Sequence, residues 1–216
     1  DSSTITTSTF TLSSSSGSSV SGTVSYSNKV ATFTPSSNLS YSTTYTATIT
    51  TGVKDLSGNA MSSTYTWSFT TGSAPDTTAP SGSVTINSGA SYTNSTAVTL
   101  NLSATDSVGV VGYYASTSSS TPTASASGWN SVTSTTSYSG SVSYTLTSGD
   151  EQKTVYVWYK DSAGNVSSQA SDSITLDTTA PIVTITSPTS SDTYTTTSSP
   201  LSLSGSASDS SSGVKE

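Results

Sequence analysis

The residues of this chain best suited to chemistry are carboxylates, and their positions repeat. Asp76 and Asp177 open two copies of one pentapeptide, Asp76-Thr77-Thr78-Ala79-Pro80 and Asp177-Thr178-Thr179-Ala180-Pro181, 101 positions apart. Asp106 and Asp209 recur downstream, in Ala104-Thr105-Asp106 and Ala207-Ser208-Asp209, each followed by a Gly-Val pair. Asp161 heads Asp161-Ser162-Ala163-Gly164-Asn165, a pattern shared with Asp55-Leu56-Ser57-Gly58-Asn59. Hard divalent cations take several oxygen ligands from carboxylates, amides and carbonyls. Asp76, Asp106, Asp161, Asn165 and Asp177 are therefore the candidate ligands of a Ca²⁺ ion, the one cofactor expected. The plainer account makes each Asp a turn cap, with Gly and Asn tolerating positive φ and Pro80 stiffening the linker unaided.

Other chemistries find little here. The chain has no Cys and no His, which removes thiol catalysis, disulfides, the usual serine triad and zinc sites within these residues. Asp150-Glu151 is a carboxylate pair in sequence only, read as a solvated turn rather than the acid pair of a glycosidase. Lys54 and Lys160 adjoin Asp55 and Asp161 but read as exposed turn residues, not cross-link partners. Trp67 and Trp158 lie within strand patterns; Trp129, in Ser127-Gly128-Trp129-Asn130, is the best candidate for an exposed sugar-stacking ring. Asn38, Asn94, Asn101 and Asn165 satisfy the Asn-x-Ser/Thr pattern, which arises readily by chance in a chain about half Ser and Thr. A net charge of −7 with only five Lys plus Arg repels nucleic acid and anionic membrane surfaces. No apolar run approaches a membrane span.

The elements that must position these acids are β-strands. Apolar residues alternate with Ser and Thr, as in Val98-Thr99-Leu100-Asn101-Leu102, and alternation means a half-buried strand. Thr suits the pleated surface through its branched Cβ, so a thin sandwich can face Ser and Thr to water in place of Lys and Glu. Across residues 74–177 the pattern predicts strands near Val84–Ile86, Ala97–Ser103, Val108–Ala115, Ser141–Leu146, Thr154–Tyr159 and Ser173–Leu176, with a long loop from Ser116 to Ser127. The fold class expected is all-β, tandem immunoglobulin-like sandwiches. Residues 1–73 read as a module lacking its opening strands, 74–177 as a complete module, and 178–216 as the start of a third, so that the whole reads as a window from a longer repetitive chain.

Residues 1–72 carry, in order, Phe10-Thr-Leu12, Gly22-Thr-Val-Ser-Tyr26, Ala31-Thr-Phe-Thr-Pro35, Leu39, Tyr45-Thr-Ala-Thr-Ile49, Val53-Lys-Asp-Leu-Ser-Gly-Asn59 and Trp67-Ser-Phe-Thr-Thr71. This series resembles the Ig-like domains of bacterial S-layer and surface proteins. The spacing of Leu39 and Tyr45 is reminiscent of a tyrosine corner, whose hydroxyl ties back to nearby backbone. Thr154-Val-Tyr-Val-Trp-Tyr-Lys-Asp161-Ser-Ala-Gly-Asn165, together with the Asp-Thr-Thr-Ala-Pro linker, resembles modules of large surface adhesins. The resemblance implies an extracellular or cell-surface setting and a structural or adhesive role without catalysis. Its partners would be neighbouring modules or subunits of the same protein, surface glycans or a receptor. A carbohydrate-binding or accessory module of a larger secreted enzyme is the alternative. It also implies that a cation at the joints would stiffen a string of modules into a rod.

Overall fold

A computed structural model describes residues 1–189 and 191–214. Among the described residues the structure is all-β apart from one 3₁₀ turn at Ser2–Thr4, and the chain divides into two compact units, Asp1–Pro75 and Asp76–Glu216. Among the described residues no helix is long and apolar enough to cross a membrane.

In the first unit, β1 (Phe10–Ser14), β4 (Thr44–Ile49) and β5 (Tyr65–Thr70) form an antiparallel sheet with β4 in the centre. The strands β2 (Gly22–Ser27) and β3 (Val30–Pro35) form a separate hairpin. Period-2 alternation turns Phe10, Leu12, Tyr45 and Ala47 inward, where Val24, Ala31 and Phe33 of the hairpin pack on them. The Tyr45 hydroxyl accepts a hydrogen bond from the Ser40 backbone N–H at 3.0 Å, the tie-back that the Leu39–Tyr45 spacing predicts. Tyr65, Trp67 and Phe69 pair with Ile49, Ala47 and Tyr45 and so share that inner face, yet all three remain exposed.

The second unit opens with β6 (Ser81–Ile86) and the two-residue β7 (Tyr92–Thr93), which sequence reading missed. Then come β8 (Ala97–Ser116), β9 (Asn130–Thr145), β10 (Glu151–Asp161) and β11 (Ala170–Leu176). The two strands expected at Ala97–Ser103 and Val108–Ala115 are one strand, interrupted by a bulge where the pairing with β9 jumps from Thr105 to Val110. Before the bulge β8 pairs with β6, and after it with β10. The sheet folds over on itself at that point, and β6 meets β11 again across the core, where the Asp172 carboxylate accepts the Ile86 N–H at 2.7 Å.

The core is built from the inward rows of these strands: Val84 and Ile86, Val98 through Ala104, Val155, Val157, Tyr159 and Ile174. Tyr159 donates its hydroxyl to the Ser83 carbonyl, and burial pushes its pKa up, so it stays a neutral donor. On the opposite face of β10, Trp158 is completely buried, with Tyr114 and Tyr156 ring to ring against it. The unit ends with the hairpin of β12 (Ile182–Ser187) and β13 (Ser204–Ser208), whose residues are mostly exposed.

The hairpin after each pentapeptide repeats in the same register: Ser81 pairs with Thr105, one residue before Asp106, and Ile182 pairs with Ser208, one residue before Asp209. Val84 is thus equivalent to Ile185.

Leu100 is wholly buried at the centre of this core. Leu100→Ala is expected to destabilise the second unit by about 2–5 kcal/mol. Native-state hydrogen exchange of the Val155–Tyr159 amides would read the loss; unchanged protection there would refute this assignment of the core.

Candidate metal centre

Two of the acids arrive by strand periodicity. The inward row of β8 runs Val98, Leu100, Leu102, Ala104 and ends on Asp106; that of β10 runs Val155, Val157, Tyr159 and ends on Asp161. Both carboxylates are therefore carried to the end of the core on its buried side, Asp106 at 7% and Asp161 at 2% exposure. Asp161 pairs with Val110, directly after the bulge. The third acid, Asp76, is half-buried and comes from the pentapeptide that leads into β6. One carboxylate oxygen from each of Asp76, Asp106 and Asp161 lies within 4.8 Å of the other two.

Local hydrogen bonds hold each carboxylate, those of Asp76 and Asp106 by one oxygen and that of Asp161 by both. Asp106 Oδ1 accepts the N–H groups of Val108 at 2.9 Å and Gly109 at 2.8 Å, which closes the bulge. Gly109 sits at φ +132°, and a Cβ there would meet Ser134 Oγ at 2.6 Å, so only glycine fits. Asp76 Oδ1 accepts the Thr78 N–H at 3.0 Å. Asp161 Oδ1 accepts the Asn165 N–H at 2.8 Å and its Oδ2 accepts the Asn165 side-chain amide at 2.7 Å. The second oxygens of Asp76 and Asp106 are buried and have no hydrogen-bond partner.

Asn165, expected as a ligand, lies beside the cluster and engages it through its amide nitrogen. Its amide nitrogen donates to Asp161 and to the main-chain carbonyl of Asp76 at 3.2 Å, tying the incoming segment to the β10 loop. It does not occupy positive φ, contrary to the turn reading; Gly164 alone does, at +92°. The loop at Asp55–Asn59 has the same internal bonds, with Asn59 donating through both backbone and side chain to Asp55. Those bonds, Asn59's side chain first, lower the Asp55 pKa. Among the described residues no such cluster gathers around Asp55.

Asp177 does not join this cluster. It follows β11, whose Leu176 pairs with Glu151 at the start of β10, whereas Asp161 ends β10. Ten strand residues at about 3.3 Å each separate the two ends. Asp177 Oδ1 instead caps Thr179 N–H at 3.0 Å, as Asp76 caps Thr78, and its Oδ2 accepts Ser212 N–H at 2.9 Å. Asp209 accepts the backbone N–H groups of Ser211, Ser212 and Gly213, bonds that lower its pKa.

Asp150 and Glu151 are exposed at the bend that leads into β10, as expected, and both also make specific bonds. Glu151 pairs with buried Lys153 at 2.6 Å, and Asp150 accepts the Thr178 N–H at 3.0 Å and the hydroxyls of Thr178 and Thr179. Sequence reading passed over Lys153; its one signal was an inward place in the β10 alternation. Trp129 is not an open stacking platform. It is half-buried, its Nε1–H donates to the Thr123 carbonyl at 2.9 Å, and Tyr114 and the Lys160 ammonium pack on its ring. Lys160 also donates to the Ala124 carbonyl, so Trp129 and Lys160 pin the long loop over Trp158.

Chemically, the triad is an all-oxygen, strongly negative site. Two unit charges about 4–5 Å apart repel by about 3–4 kcal/mol at an effective dielectric of about 20, and three such pairs compound it. No Lys or Arg among the described residues forms an ion pair with these acids.

The family model of the bacterial Ig-like domain matches residues 1–71. The all-β sandwich architecture agrees with that match, so the expected resemblance holds at the level of a bacterial Ig-like domain. No curated protein matches the chain.

The side-chain bonds from Thr179 and Thr178 lower the Asp150 pKa. A depressed folded value means that the clamp contributes fully above the unfolded carboxylate pKa of about 3.9 and is lost as pH falls through the folded value. Amide exchange at Thr178 is expected to accelerate in that acid window, and Asp150→Asn to abolish the pH dependence. A variant with the wild-type profile would remove Asp150 as the clamp.

Proposed function

We propose that this chain is an extracellular structural or adhesive repeat region of a bacterial surface protein or surface filament, serving as a spacer or assembly module and carrying no catalysis of its own. The observation that carries the reading is repetition at two levels. The Asp-Thr-Thr-Ala-Pro segment recurs, and after each copy comes the same hairpin unit, β6 with β8 and β12 with β13, closed by an Asp that caps the following turn. Repeated units of one supersecondary design, each with its own short connection, are how chains gain length rather than an active site.

Three further features support it. Bacterial Ig-like domains, the family matched by residues 1–71, occur commonly in extracellular and surface proteins. A chain with no Cys or His relies on packing and backbone pairing. A surface of Ser and Thr with few Lys or Arg suits exposure to solvent over contact with nucleic acid or membrane. The partners are then neighbouring modules or subunits of the same protein.

Antibodies raised against residues 1–216 are expected to label intact, unpermeabilised source cells or their culture medium, and a glycan array probed with the same chain to stay blank. Labelling only after permeabilisation would overturn the extracellular reading. Saturable binding to one glycan class would replace the spacer with a carbohydrate-recognition role.

A further inference from the structure

We infer that Asp76, Asp106 and Asp161 together hold one Ca²⁺ ion, which fastens the Asp76–Pro80 segment to the bulge of β8 and the end of β10. The inference stands on the geometry of the second unit and is independent of the spacer role.

Two observations meet at this site. One is the convergence of three carboxylates within 4.8 Å, from three separate elements. The other is polar accounting: Asp106 is 93% buried by its 7% exposure, and its Oδ2, like that of Asp76, has no hydrogen-bond partner. Buried acceptors without donors are rare in folded proteins and call for an ion, a proton or water. The backbone satisfies one oxygen of each acid; the second oxygens of Asp76 and Asp106 are left without a donor, while that of Asp161 accepts the Asn165 amide.

The donor set selects the ion. Carboxylate oxygens without Cys or His suit a hard cation and not zinc or copper. Calcium bonds its oxygens at about 2.3–2.6 Å, so two ligands of one ion stand up to about 5 Å apart, which spans the observed separation. Magnesium, at about 2.0–2.1 Å with strict octahedral demands, holds two ligands no more than about 4.2 Å apart and fits this spread less well. Water completes the coordination on the side where Asp76 is half-exposed. Asn165 contributes by position, holding Asp161 and the Asp76 carbonyl with its amide.

The test is calcium titration of the whole chain, stripped with chelator, by calorimetry and by thermal melting at neutral pH. One ion per chain is expected to bind, with a Kd of about 10⁻⁴–10⁻³ M or tighter and a rise in the melting temperature of the second unit. Asp106→Asn and Asp161→Asn should each weaken binding about tenfold or more, and Asn165→Ala about 10-fold. Asp55→Asn, in the matching loop without partner acids, should leave it unchanged. Should Asp106→Asn fail to fold by circular dichroism, Asp76→Asn, on the half-exposed acid, carries the same expectation. No heat and no melting shift up to about 10 mM calcium would overturn the site. So would binding that survives Asp106→Asn or Asp76→Asn, or stabilisation by those variants without calcium equal to that given by the ion, which would mark a shared proton instead.

Discussion

The bulge between Thr105 and Val110 is the constraint on which the second unit depends. A strand has two edges, and β8 keeps β9 on one of them along most of its length. On the other edge it pairs first with β6 and then with β10, which is possible only because the chain changes direction at the bulge. The turn is held by Asp106, whose Oδ1 gathers two backbone N–H groups that the interrupted ladder leaves without strand partners. Gly109 makes the required backbone conformation accessible. The residue that shapes the sandwich is thus also the one that places a buried charge at its end.

That charge sets the local energetics. Sandwich interiors tolerate ionised groups only when these are paired, and here two inward rows terminate in carboxylates on neighbouring strands. The incoming Asp76 adds a third instead of a counter-charge. The same pentapeptide at Asp177 meets a different environment: Asp150 accepts the Thr178 N–H, Ser212 donates its N–H to Asp177, and the acids there are met by backbone donors. One repeated sequence thereby serves two connections by different electrostatics.

Elsewhere the unit covers apolar surface by layering. Trp158 lies on the outer face of β10, a position normally open to water, and is completely buried because the loop after β8 folds back over it. Lys160 and Trp129 hold that loop through a carbonyl contact and a cation over the ring. Trp129, the candidate stacking ring, is instead part of what fastens that loop over hydrophobic surface. In the first unit the corresponding inner face remains open at β5, where Tyr65, Trp67 and Phe69 point inward without cover.

Alternation of apolar and hydroxyl residues was enough to read the all-β class and most strand positions, because a pleat has a period of two whatever surrounds it, and the Leu39–Tyr45 spacing was enough for the tyrosine tie-back. The same rows, Val98 to Asp106 and Val155 to Asp161, also contained the signal that two acids end on the core side, although the strand boundaries expected at Ser103 and Val108 concealed it. Tertiary structure decided the rest. Whether Asp76 or Asp177 reaches those acids depends on which end of β10 each connection meets, a distance of ten residues that no local pattern records. Whether Asn165 offers its oxygen or its nitrogen depends on the carbonyls and carboxylate that the fold brings to it. Periodicity is local and survives in the sequence; convergence is a property of paths through space.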